Sequence, residues 1–61
     1  MQKYEYLAIT SETDESPQTL ENTALLLNKQ GVAGWELVSV VPISDYKGEK
    51  SFFYFKRPVS Q

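Results

Sequence analysis

Apolar positions recur with the two-residue period of a strand in three stretches of the chain and with a helical period in one. Lys3 to Ser11 is rich in aromatic and β-branched residues and holds neither glycine nor proline, which predicts a first strand. Tyr4, Tyr6, Ala8 and Thr10 fall on one side of its pleat and Glu5, Leu7, Ile9 and Ser11 on the other, so both sides carry apolar groups. An acidic connector, Glu12 to Ser16, leads into Pro17. Ser16 has the form of a helix N-cap and Pro17 that of a first helical residue, whose missing N–H costs nothing there. From about residue 17 to 30 the spacing of Leu20, Thr23, Ala24 and Leu27 predicts a helix with one buried stripe, with Leu26 on its flank and Leu25 on the far side. Gly31 suits the left-handed position that ends a helix, with Val32 closing onto Leu27.

Residues 35 to 41 predict a second strand, with Trp35, Leu37, Ser39 and Val41 on one side, Glu36, Val38 and Val40 on the other, and Pro42 as its end. Ile43 to Lys50 reads as a polar connection longer than a two-residue turn. A third strand covers residues 51 to 57 and is closed by Pro58. Its four consecutive aromatics, Phe52 to Phe55, must divide two and two between the faces.

The order strand, helix, strand, strand predicts one α+β domain over residues 1–61, a three-stranded antiparallel sheet of order 1-3-2 with one helix across one face. The most aromatic strand is best protected in the middle, and the crossover through the helix is expected to be right-handed. One helix covers one face only, while all three strands are apolar on both. The uncovered face is expected to carry Tyr4 and Tyr6 or Leu7 and Ile9, Trp35 and Leu37 or Val38 and Val40, and Phe52 and Tyr54 or Phe53 and Phe55. Tyr4, Tyr6, Leu7, Ile9, Trp35, Phe53, Tyr54 and Phe55 are therefore the candidate interface or ligand residues. Patches of this kind mark association, and a two-fold dimer is the commonest way to hide one.

Composition strengthens that expectation. A 61-residue chain hides only about 60% of the surface its unfolded form exposes, and cores this small seldom supply more than about 3–5 kcal/mol. With no cysteine and no histidine, disulfides and the common zinc sites are excluded, which leaves self-association as the supplement. No cofactor and no catalytic residues are expected, because no nucleophile with a partner base is visible. Glu36 is better read as pairing with Lys56 or Arg57 across the hairpin than as a general acid. Glu12, Asp14 and Glu15 lack the glycine and terminal glutamate of a calcium-binding loop. No apolar run approaches the roughly 18 residues of a membrane span, and Met1 leads into a strand pattern, so a cytoplasmic protein is expected.

The net charge of −2 argues against nucleic acid as a partner. Its distribution is uneven: residues 1–46 hold two lysines against seven acids, residues 47–61 hold Lys47, Lys50, Lys56 and Arg57 against Glu49. Lys50, Lys56 and Arg57 are the candidate anion contacts of an alternative reading, a small-ligand or nucleotide site formed between subunits by basic and aromatic side chains.

Lys3-Tyr-Glu-Tyr6, Leu25-Leu-Leu-Asn28 leading into Gly31, Gly34-Trp-Glu-Leu-Val-Ser-Val-Val-Pro42 and Phe55-Lys-Arg-Pro58 together resemble the small bacterial and phage family of unknown function numbered 4177. The likeness spans nearly the whole chain and is most specific at Gly-Trp-Glu-Leu-Val. It implies no catalytic residue. That family often has a polar residue where this chain has Leu7, which implies that the face of Glu5, Leu7 and Ile9 is an outer one, unusually apolar here.

Overall fold

A computed structural model describes residues 1–14, 16–46 and 48–59. The elements follow the order β1 (Tyr4–Glu12), α1 (Pro17–Val32), β2 (Glu36–Asp45) and β3 (Gly48–Pro58). The three strands form one antiparallel sheet of order β1-β3-β2, with the aromatic strand in the middle. Pairing of Leu7 and Leu37 with Phe55, and of Ile9 and Val40 with Phe53, puts these side chains on one face, since directly opposed residues point the same way. That is the helix face. Phe55 and Phe53 are only 1% and 3% exposed there, and Ser51 beside them is 3% exposed. The buried serine is satisfied by the Thr13 hydroxyl at 2.9 Å.

The helix starts as expected. The Ser16 backbone is extended, its hydroxyl accepts a hydrogen bond from the Thr19 N–H at 3.2 Å, and Pro17 opens the first turn. Its end differs. Gly31 is helical, and the chain continues through Val32 to a C-cap at Ala33; the left-handed residue is Gly34, at φ +92°. The Trp35 N–H then donates to the Gln30 carbonyl at 2.9 Å and the Gly34 N–H to that of Gly31 at 3.0 Å, which is the Schellman pattern moved three residues downstream. Both glycines suit a helix end, but Gly34 permits the extra turn that brings Trp35 over Gln30. Val32 consequently faces solvent instead of Leu27.

The buried stripe is also rotated from the expected one. Thr19, Thr23, Leu26, Leu27 and Gln30 are the half-buried positions, whereas Leu20 is 62% exposed and Ala24 is exposed. Thr19 is held by Ser16 at one end of this stripe, and the Gln30 carbonyl accepts from the Trp35 N–H at the other.

β2 departs from its pattern in two ways. It passes through Pro42 and ends at Asp45, so the connection to Gly48 is far shorter than the expected loop; Lys47 of that connection lies outside the described residues. Proline is tolerated because of its place in the ladder. The bonds Thr13 N–H to Glu49 C=O and Val59 N–H to Lys3 C=O show that odd-numbered residues of β3 bond toward β1. Pro42 stands opposite Ser51, so its nitrogen faces the free edge of β2, where no bond is lost. The second departure is a bulge between Leu37 and Ser39, which makes Val38 an extra residue. After it, Val40 shares the helix face with Leu37, while Ser39, Val41 and Ile43 turn outward, reversing the expected grouping of Leu37 with Ser39 and Val41.

Two outcomes check this architecture by denaturant or thermal unfolding. Gly31→Ala, with open space around the added methyl, should raise stability by about 0.5–1 kcal/mol, and Gly34→Ala should lower it by about 1–2 kcal/mol; the opposite order would return the helix stop to Gly31. Leu7→Lys puts a charge against Phe55 and should abolish cooperative unfolding, whereas a folded, soluble variant would mean that Leu7 faces outward.

Candidate functional site

The face opposite the helix is built from alternate residues of each strand. β1 supplies Tyr4, Tyr6, Ala8 and Thr10, β3 supplies Lys50, Phe52, Tyr54 and Lys56, and β2 supplies Glu36, Ser39, Val41 and Ile43. No other element among the described residues covers it. Tyr6 is 73% exposed, and Tyr4, Tyr54 and Val41 are each about two-fifths exposed. Phe52 and Tyr54 contact each other across this surface, with ring centroids 6.5 Å apart.

Of the eight candidate residues, Tyr4, Tyr6 and Tyr54 lie on the open face. Leu7, Ile9, Phe53 and Phe55 lie on the helix face and form the core, so the outward placement of Leu7 implied by the family resemblance is corrected. Trp35 is half-buried at the mouth of β2, under the guanidinium of Arg57, whose central carbon is 4.2 Å from the ring centroid. Val41 and Ile43 fall on the open face because Val38 is an extra residue that offsets the alternation counted from Leu37, and the sequence carries no signal for that bulge. Phe52 follows from simple alternation with Phe53.

The candidate anion contacts do not converge. Arg57 is on the helix face, where it pairs with Glu5 at 3.0 Å and donates to the Ala33 carbonyl at 3.0 Å. Lys50 and Lys56 share the outer face but are separated by about 20 Å of β3. The Lys56 ammonium lies over the Tyr4 ring at 4.7 Å. Glu36 stands opposite Lys56 in the ladder, as the sequence suggests, while Arg57 goes to Glu5 instead.

Charge is sorted along the long axis of the molecule. Glu12, Asp14, Asp45 and Glu49 gather with Lys50 around an open hollow of about 240 Å³ at the hairpin end. A second hollow of about 370 Å³ lies against Thr13, Pro42, Ile43 and Ser44. Among the described residues no group of carboxylates has the placement to hold a metal ion; Glu15 of the candidate calcium set lies outside them. The backbone N–H of Ser16, and then the hydroxyls of Ser16 and Thr19, hold the Asp14 carboxyl below its ordinary value of 3.8. Among the described residues no helix is long and apolar enough to cross a membrane. Comparison with protein-family models, with curated proteins and with solved structures found no match.

The lowered carboxyl of Asp14 fixes the sign of one pH dependence. A group whose folded value is depressed contributes stability above its unfolded value and loses it as pH falls through the folded one. The stability gap between the wild type and Asp14→Asn should therefore be constant above about pH 5 and close as pH falls below 3.8. Urea titrations of both proteins across that range read it directly; a gap that persists in acid would sever Asp14 from the helix start.

Proposed function

We propose that this chain is a small non-enzymatic assembly module that binds a second copy of itself through the outer face of its sheet. Area carries the proposal. The chain exposes 4766 Å², whereas a compact monomer of 7.0 kDa exposes about 4,000 Å². The excess of roughly 700 Å² is close to the roughly 800 Å² that each partner contributes to a standard interface. The shape agrees: the radius of gyration is 13.2 Å against about 10.5 Å for a compact domain of this length. Tyr6, Tyr54, Phe52 and Val41 offer broad, weakly polar contact area of the kind interfaces use. Two copies stacked with their long axes reversed would set the acidic hairpin end of each against the Lys3, Lys29 and Lys56 end of the other. We place the module in the cytoplasm, a setting its cysteine-free composition suits. The small-ligand alternative loses its support with the separation of Lys50, Lys56 and Arg57.

Light scattering at micromolar concentration should give at least twice the chain mass. Val41→Lys, on the outer face and outside the core, should shift the protein toward monomer at unchanged circular dichroism. A wild-type protein that is monomeric throughout that range sinks the proposal.

A further inference from the structure

The two edges of the sheet are not equivalent, and the difference assigns a use to one of them. β2 borders solvent with an edge interrupted twice, by the bulge at Val38 and by Pro42, whose nitrogen faces outward and has no hydrogen to give. Bulges and outward prolines are the devices that stop a free edge from recruiting another strand. β1 has neither. It pairs with β3 without interruption from Tyr4 to Glu12, with no glycine, proline or lysine inside it. The bonds of Thr13 N–H and Lys3 C=O to β3 set the parity: odd-numbered residues of β1 bond inward. The N–H and C=O groups of Tyr4, Tyr6, Ala8, Thr10 and Glu12 therefore point to the free edge, where the described residues provide no strand to receive them.

We propose that this edge is a second self-association surface, at which the β1 strands of two copies pair antiparallel about a two-fold axis at Ala8. The sequence is self-complementary in that register. Ala8 meets Ala8, Tyr6 meets Thr10 and Tyr4 meets Glu12 on the outer face, while Leu7 meets Ile9 and Glu5 meets Ser11 on the helix face. No like charges oppose each other. Glu12 of one copy arrives beside the Tyr4 ring over which Lys56 of the other already sits, so the one charged residue that the seam brings to the outer face gains a cation. Leu7 and Ile9, half-buried in one copy, continue the two cores into each other. Because all five outward residues pair, roughly ten backbone hydrogen bonds form across the seam. The result is a six-stranded sheet with β2 at both ends, each edge guarded by Pro42 and the bulge. The outer face of the earlier proposal remains open and is doubled, so the two surfaces are independent.

Amide hydrogen exchange by nuclear magnetic resonance on the full chain separates them. Edge pairing should slow the amides of Tyr6, Ala8 and Thr10 by at least about 100-fold, as inward bonding slows those of Leu7 and Ile9, and dilution should release the first set alone. Ala8→Pro removes an outward N–H without touching a bond to β3. It should release Tyr6 and Thr10 while Leu7 and Ile9 stay protected. Should that variant not fold, the dilution series of the wild type decides alone. An oligomer whose Tyr6, Ala8 and Thr10 amides exchange freely overturns the edge pairing and leaves association through the sheet face standing. Protection of these amides that survives in the monomer also overturns it, and a chain that is monomeric with a free edge at every concentration removes both proposals.

Discussion

Arg57 holds the molecule together at the end where the chain would otherwise come apart. From the central strand its guanidinium donates to the Glu5 carboxylate of β1 and to the Ala33 carbonyl at the end of the helix, and it lies over the ring of Trp35 just before β2. Every element thus meets at one side chain. The ion pair itself is modest, since both partners remain about two-fifths exposed and solvent screens them. Its importance is geometric. A planar fork can donate in two directions while stacking on a ring, which a lysine ammonium cannot do. It also satisfies one of the carbonyls that a helix leaves unbonded at its C-terminus, and its charge suits the negative end of the helix dipole.

At the other end the corresponding joint is made by small polar groups. Thr13 bonds through its hydroxyl to Ser51 and through its N–H to Glu49, tying the exit of β1 to the start of β3 just before the helix begins. Between these two joints the core is thin: Phe53 and Phe55 are the buried apolar side chains, and the molecule is only 11 Å across in its shortest dimension. A sheet with one helix on it has two layers, and two layers have one interior. Aromatic residues on the other side of the sheet have no interior of their own.

Much of this was legible in the sequence, and the parts that were not share a cause. Strand positions follow from alternation, and the central place of β3 from its aromatics. The helix start follows from Ser16 and Pro17. These are local signals with local causes. Gly31 and Gly34 are indistinguishable by type, and the choice between them depends on Trp35 swinging back over Gln30, a contact with an element not yet formed when the helix is read alone. Pro42 signals a strand end only if its nitrogen faces a neighbour, which depends on strand order and ladder parity together. The helix stripe differs from the apolar pattern because Leu20 and Ala24 fit that pattern while Leu26 and Gln30 fit the space against the sheet. The open face is legible as a surface, but which of the two alternative sets in each strand lies on it is not, because parity across a hairpin is a tertiary property.

The bulge at Val38 has a consequence that alternation alone hides. Leu37 opposes Phe55, Ser39 opposes Tyr54 and Val40 opposes Phe53, so every residue of β2 except Val38 already stands in the order an unbroken ladder requires. Without Val38 each neighbour would keep its present partner and its present side. The residue is thus a spacer that the interior does not ask for, and its effect is confined to the rim, where it bends the strand and breaks the regular row of outward backbone groups. In that sense Val38 addresses strands outside the molecule: it is a valine whose structural part is to refuse company on one border of a sheet that is otherwise open to it.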